Sequence, residues 1–387
     1  MKWKKTTIGE IVKTKKGFAF KSSKYVNIGV PIVRVSNYTN DSISDSDLKY
    51  YPFEEKQNYL DFELHEGNII IQTVGSWPNN PASVVGKVVR VPYYLDGALL
   101  NQNAVRLIPG KNIDNDYLFY RLKTNDFQGH VLGEARGAAN QASITLETIK
   151  SFTFLLPDYA TQVKIGKILQ SYDNLIENNQ KQIRLLEEAA QRLYKDWFVD
   201  FHFPGHETVK VVDGVPEGWK KGTIGEIADF KRGKTITKAQ VHTGNIPVVA
   251  GGLEPAYFHN VANTIAPVVT VSASGANAGF AKLYHVDVFA SDCSFVDSKA
   301  TSYVYFVYCF VKNNKERLEA LQKGSAQPHV YAKDINALEL VIPQKDIIQS
   351  FCKCVASYFD KIKALQRQIE LATEARDRLL PRLMGNQ

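Results

Sequence analysis

The chain has 387 residues, a formal net charge of +7 and 44% hydrophobic content, enough for two or three domains that each bury a core. No apolar run approaches eighteen residues, and the start MKWKKTTIGE carries neither an apolar segment nor a cleavage site. A membrane-spanning or exported protein is therefore not expected, and a soluble cytoplasmic one is. Cys293, Cys309, Cys352 and Cys354 fit neither a disulfide framework nor a zinc spacing, so packing thiols in a reducing compartment are the expectation.

Residues 1 to 40 hold nine Lys or Arg against a single acid, Glu10. Lys2, Lys4, Lys5, Lys13, Lys15, Lys16, Lys21, Lys24 and Arg34 make either a solvated face or a patch suited to phosphate. Through residue 157 the pattern is one of short strands with one helix. Val30 to Val35, Asn68 to Val74, Val84 to Val91 and Ala104 to Ile108 are β-branched runs bounded by Gly, Pro and Asn, and Asp116 to Lys123 reads as helical. Polar loops follow several of these strands, at Arg34–Tyr38, Thr73–Trp77, Asn101–Asn103 and Gly133–Gly137. Their Arg, Asn and Gln side chains are the types that read guanine and adenine edges, although any surface loop carries such residues.

From Ile165 to Trp197 a 4-3 seam runs through Ile165, Leu169, Tyr172, Ile176, Asn179, Ile183, Leu186, Ala190, Leu193 and Trp197. This is a coiled-coil helix, roughly 50 Å long at 1.5 Å per residue. Adding 186 returns the seam as Phe351, Val355, Tyr358, Ile362, Leu365, Ile369, Ala372, Arg376, Leu379 and Leu383. The repeat extends outward. Trp3-Lys4-Lys5 and Thr7–Ile11 return as Trp219-Lys220-Lys221 and Thr223–Ile227 at an offset of 216, as do Lys16-Gly17 as Arg232-Gly233 and Pro31–Val33 as Pro247–Val249. Tyr117, Gln141, Ile149 and Pro157 return as Tyr303, Gln327, Ile335 and Pro343 at 186, so the second copy lacks about thirty residues.

The expected fold is α+β and pseudo-twofold: a domain over residues 1–157, a central helix over 158–200, a linker over 201–216, a second domain over 217–343 and a C-terminal helix over 344–387. Each seam needs cover, and the matching seam in the chain is the other helix, so antiparallel pairing is expected. Asn179 lies opposite Leu365 in the repeat, and its polarity is either tolerated at a wet seam or sets register. Tyr194, Trp197, Phe198 and Phe201 exceed one seam and need a second cover, either a partner subunit or the following domain.

Motifs for chemistry are scarce. Gly233-Lys234-Thr235 imitates the end of a phosphate loop, but the position of the required earlier glycine is Ala228. Asn79-Asn80-Pro81-Ala82 approaches an amino-methylating segment without its second proline or aromatic. No metal-ligating histidine pair or nucleophile elbow occurs, and His202, His206 and His329 read as surface or packing residues. The second domain's loops, at Lys231–Thr235, Ser272–Gly279 and Gly324–His329, differ from those of the first while the framework agrees.

The tandem domains and paired helices, the Trp-Lys-Lys-x-Thr-Ile-Gly-Glu-Ile start of each domain, Leu155-Leu156-Pro157 closing the first, and the helix end Leu186–Phe201 together resemble the DNA specificity subunit of a type I restriction–modification system. That resemblance implies a non-catalytic reader whose two domains each bind half of a split double-stranded DNA target. It also implies helices that set the spacing and dock methylation subunits, two being expected, with motor-nuclease subunits joining them. S-adenosylmethionine, ATP and magnesium would belong to those partners, leaving this chain without a cofactor or metal of its own. Lys16, Lys21, Lys24, Lys231 and Lys234 are the expected phosphate contacts. Arg34, Asn37, Ser76, Asn101, Gln102 and Arg136, with Arg232, Thr235, Ser274, Asn277 and Gln327, are the expected base-edge readers, and Trp77 either stacks on DNA or closes the core. Two alternatives belong to other classes: a coiled-coil scaffold with protein-binding domains, marked by salt-insensitive or absent DNA binding, and a methyltransferase acting alone, marked by methyl transfer without partners.

Overall fold

The computed structural model describes residues 3–39, 42–78, 83–138, 141–322 and 328–385. Its two units are Met1–Glu177 with Glu370–Gln387, and Asn178–Ile369. Both long helices, Tyr159–Phe198 and Lys345–Met384, contribute to both units, and their limits differ by the 186-residue repeat at each end.

In the first unit the run Ile69-Ile70-Ile71 explains the layering. Strand Ile69–Gln72 is buried on both sides, so its alternating side chains feed two cores. Ile69 and Ile71 pack with Val105, Leu107 and helix Asn115–Leu122, whereas Ile70 packs with Val33, Val89 and Leu100. The strand lies in an antiparallel sheet ordered Val12–Lys16, Ala104–Pro109, Ile69–Gln72, Val88–Arg90. A second sheet is ordered Lys49–Tyr51, Val30–Val33, Leu99–Leu100, with its last pair parallel. Strand Lys4–Thr7 pairs with Thr153–Leu156 and closes the domain.

The second unit repeats this order strand for strand. Lys231–Arg232, Cys293–Asp297, Val268–Ser272 and Ala281–Tyr284 form its four-stranded sheet, and Tyr257–His259, Ile246–Val249 and Phe289–Ala290 its three-stranded one, again ending in a parallel pair. Lys220–Thr223 pairs with Glu339–Ile342, so Lys4↔Leu156 returns as Lys220↔Ile342 at the same two offsets found in the sequence. The missing residues are spread over successive connections: the ten-residue 3-10 segment Phe53–Phe62 of the first unit has no counterpart between Tyr257–His259 and Val268–Ser272.

Within each unit the two helices run antiparallel. In the first, Asp173 meets Arg376 at 2.7 Å while Ile165 and Leu169 share a core with Leu379, Leu383 and Met384. In the second, Asn179 meets Gln368 while Tyr194 lies 6.0 Å from Phe351. Every seam residue is buried or half-buried: Ile165, Leu169, Tyr172, Ile176, Ile183, Leu186 and Leu193 on one helix, and Phe351, Val355, Tyr358, Ile362, Leu365, Ile369 and Leu379 on the other. Asn179 is only 2% exposed and donates its amide to Gln368 Oε1 at 3.2 Å, so a protein partner satisfies it. The aromatic excess at the end of the first helix packs under the following domain. Phe198 stands 4.9 Å from Phe306, Tyr194 5.5 Å from Phe306, and Phe201 5.6 Å from Trp219.

Three local expectations are corrected. The segment Gly133–Gly137 is not a loop: helix Asn125–Glu134 runs into it, and strand Arg136–Ala138 begins two residues later. Val84–Val91 narrows to strand Val88–Arg90, because Gly86 at φ 79 turns the chain just before it. The linker contains a hairpin, Val211–Val212 with Val215–Pro216, whose turn residues Asp213 and Gly214 both have positive φ. Among the described residues no helix is long and apolar enough to cross a membrane.

Candidate nucleic-acid interface

Backbone hydrogen bonds gather the polar loops of the first unit at one end of its strands. Strand Val12–Lys16 ends beside the start of Ala104–Pro109, and Gly17 N–H donates to Ala104 at 3.0 Å. Phe18 donates to Leu100, Asn101 to Val33 and Thr73 to Asn103, which brings Lys16–Phe18, Arg34, Thr73 and Asn101–Asn103 onto one rim. A Cβ on Gly17 would overlap the Asn101 carbonyl, so the close approach requires glycine there. A small sheet continues the rim: Arg136–Ala138 pairs with Gln141–Ser143, which pairs with Val74–Gly75. Segments distant in sequence thereby bring Ser76 and Trp77 beside the strand that carries Arg136.

The rim's side chains fall into two groups. Lys16, Lys21 and Arg136 are exposed and form no ion pair among the described residues. Others are engaged within the protein. Lys24 binds both carboxylate oxygens of Glu55 at 2.8 and 2.9 Å. Arg34 donates to the Asp47 carbonyl at 2.8 Å and pairs with its carboxylate at 3.2 Å. Lys49 first, and Arg34 after it, hold that carboxyl below the usual range. Asn37 is 3% exposed, its Oδ1 accepting from Arg34 N–H at 3.0 Å and its Nδ2 donating to Ser46 at 3.2 Å. These bonds make it part of the loop's own framework. Gln102 is half-buried, and Ser76 Oγ lies 2.9 Å from Ser83 Oγ. Trp77 packs against the core, and its indole N–H donates to Ala138 at 3.1 Å, so it braces the sheet that carries Arg136.

The second unit builds the same rim. Gly233 N–H donates to Cys293 and Lys234 N–H to Ala290, and a Cβ on Gly233 would overlap the Ser291 carbonyl as one on Gly17 would overlap that of Asn101. Lys231, Lys234 and Thr235 are exposed. Asp292 joins two candidates, accepting from Ser274 Oγ and lying 3.9 Å from Arg232. Asn277 Nδ2 donates to the Gly251 carbonyl at 3.4 Å. Gln327, Lys2 and Asn79–Ala82 lie outside the described residues. The loop Ala250–Ala256 and the turn at Gly279 also belong to this rim, since Ser272 Oγ donates to Gly251 at 3.0 Å and Gly279 N–H to Ser272 at 2.9 Å. Their signals in the sequence were Gly251-Gly252 and Gly279, the latter at φ 87 in the structure.

Outside the rims, the first unit has a cavity of about 660 Å³ beside Tyr120, Arg121, Asp173 and Arg376. Tyr120 donates its hydroxyl to Asp173, and burial, followed by that charge, pushes the hydroxyl's pKa far up, so it remains a donor. Among the described residues no group of three or more His, Cys, Asp or Glu is placed to hold a metal ion. All four cysteines are free thiols, with Cys293 and Cys309 buried.

Comparison with known proteins agrees with this geometry. The type I restriction modification DNA specificity domain matches twice, at residues 1–188 and 216–373. The MjaIX specificity subunit of Methanocaldococcus jannaschii is 25% identical over 73% of this chain and 71% of its own length. The HindI specificity subunit of Haemophilus influenzae is 23% identical over 100% and 99%. The crystal structure of the type I restriction-modification S subunit from M. genitalium superimposes with a TM-score of 0.59 at 17% identity, covering 100% of this chain and 97% of that one, which shows a shared fold. With two copies of the domain model spanning most of its length, one over each rim, the chain belongs to the type I restriction–modification DNA specificity family.

Proposed function

We propose that the chain is the target-reading, non-catalytic subunit of a type I restriction–modification complex, each unit binding one half of a bipartite double-stranded DNA target through its rim. The observation that carries this reading is the repeat of one strand framework, glycine close approach included, beneath two rims with different side chains. A fold conserved within one chain while its exposed edge changes is what two half-sites of different sequence require. Lys16, Lys21, Lys231 and Lys234 supply salt-dependent phosphate affinity, and Arg136, Arg232 and Thr235 supply base contacts. The long helices fix the gap between half-sites, and their outer faces dock two methylation subunits, to which motor-nuclease subunits add. S-adenosylmethionine, ATP and magnesium act on those partners.

The test is methylome sequencing of cells that carry this chain with its partner subunits, against a deletion of this chain alone. One bipartite adenine-methylated motif that disappears in the deletion supports the reading. Unchanged methylation refutes it.

A further inference from the structure

The two rims can be overlaid position by position, because the same hydrogen bonds frame both. In the first unit Gly86 N–H donates to Gln72 and Gln72 N–H to Lys87, each at 2.9 Å; in the second Gly279 N–H donates to Ser272 and Ser272 N–H to Phe280, each at 2.9 Å. Phe280 therefore stands where the first unit has Lys87. Likewise the parallel pair Val33↔Leu100 returns as Val249↔Ala290, which sets Ala250 in the place of Arg34. At two positions of the second rim a cation has given way to an apolar residue. The replacements are not core residues. Lys87 is buried, whereas Phe280 is 38% exposed, and Leu253 on the adjoining loop is 49% exposed. Phe280 directly precedes strand Ala281–Tyr284 and shares a face with Lys282, whose ammonium reaches the Leu253 carbonyl at 3.1 Å and so ties the Leu253 loop to that face.

Two large apolar side chains on a rim that also carries Lys231, Arg232 and Lys234, with Asp292 and Glu254 paired to Arg232 and Lys282, have a cost in water that a ligand can recover. If that ligand is DNA, one apolar group on the major-groove base edges is available for sequence reading, the 5-methyl of thymine. We propose that the second unit reads part of its half-target by packing Phe280 and Leu253 against thymine methyl groups. This rests on the DNA-reading function proposed above. It predicts that the half-target of the second unit contains thymine at a position where the methyl, and not only the base pair, is recognised.

The test uses the full-length chain with its partner subunits and duplexes carrying the target defined by methylation mapping. Each thymine in the half-target of the second unit is replaced in turn by deoxyuridine, which removes only the methyl. Wild-type binding is expected to fall about four-fold at one position or more, the worth of one buried methyl. Phe280→Ala or Leu253→Ala should bind thymine and deoxyuridine duplexes equally, while Phe280→Leu should keep the discrimination; unchanged melting temperatures show that the variants fold. A wild type indifferent to every deoxyuridine, or a penalty that survives both alanine substitutions, overturns the proposal while leaving the DNA-reading function intact. Weakened binding by Phe280→Ala that is independent of the methyl, together with a change in DNA bending, would replace methyl reading by an inserted wedge and also overturns it. Failure of the wild type to bind any target duplex would instead refute the function on which the proposal rests.

Discussion

Replacing Arg376 by alanine tests whether the helix pairing in the first unit depends on its polar network. Asp173 accepts from Tyr120 and from Arg376 Nη1 at 2.7 Å, and the guanidinium also binds Asp377 at 2.9 Å. The position equivalent to Arg376 in the first helix is Ala190, fully buried, so a seam of this type accepts alanine sterically and the loss should be electrostatic. Leaving one partner of a fully buried pair alone costs about 3–5 kcal/mol, and losing one charge-assisted hydrogen bond about 1.5–3 kcal/mol. Asp173 and Arg376 are both partly exposed and line a cavity that admits water, which places Arg376→Ala near the lower range, about 2 kcal/mol. The assay is urea denaturation of the full chain, with hydrogen exchange over residues 370–384 to assign the affected transition to the first unit. Asp173→Ala with Arg376→Ala should cost less than the sum of the singles by roughly 1 kcal/mol or more. A single-mutant loss under about 0.5 kcal/mol, or strict additivity, would show that apolar seam packing alone holds the pair.

Four further outcomes follow from the same geometry. Gly17→Ala should destabilise the first unit by about 1–3 kcal/mol and weaken its half-site, and Gly233→Ala should do the same in the second; hydrogen exchange of the two rims would show whether the damage is local. Arg136→Ala should reduce affinity by about 1–3 kcal/mol and relax base preference at one position, read by titration against single-base variants of the target. Lys16→Ala should weaken all sequences alike and lower the slope of log affinity against log salt by about one. Burial lowers the His285 pKa from 6.5 to about 4, with Lys363 adding to the effect and Asp360 opposing it. Because the unfolded chain binds that proton more tightly, the second unit should lose about 1–3 kcal/mol as pH falls from 6.5 to 4, and His285→Gln should flatten the profile in acid denaturation.

Most of the fold was legible because the framework writes itself twice. The seam spacing located both long helices, and the two repeat offsets are the registers of the closing strand pairs, Lys4↔Leu156 and Lys220↔Ile342. What was not legible depends on contacts distant in sequence. The composition of Gly133–Gly137 signals a loop, yet its end is a strand because Gln141–Ser143 and Val74–Gly75 offer it a ladder. Asn37 and Arg34 have the chemistry of base readers, but Ser46 and Asp47 engage them first. A polar residue type declares what a side chain can bind, and only the tertiary neighbours determine whether it is free to do so.

The same distinction explains why the two rims diverge while the layers beneath do not. Ile69 and Ile71 share one core and Ile70 another, so altering any of them leaves a cavity costing about 2–5 kcal/mol, a large part of a domain's stability. Gly17 and Gly233 are held by carbonyl groups that no other residue could approach as closely. Arg136, Lys231 and Thr235 touch neither core, and exposed substitutions of this kind cost within about 0.5 kcal/mol. Such positions can change target sequence without threatening the fold. Arg34 and Lys24 are each bonded to an acid of the first unit, and where Ala250 takes the place of Arg34 the second unit has a different loop, so within the first unit target specificity should vary at Arg136 and its neighbours before it varies at Arg34.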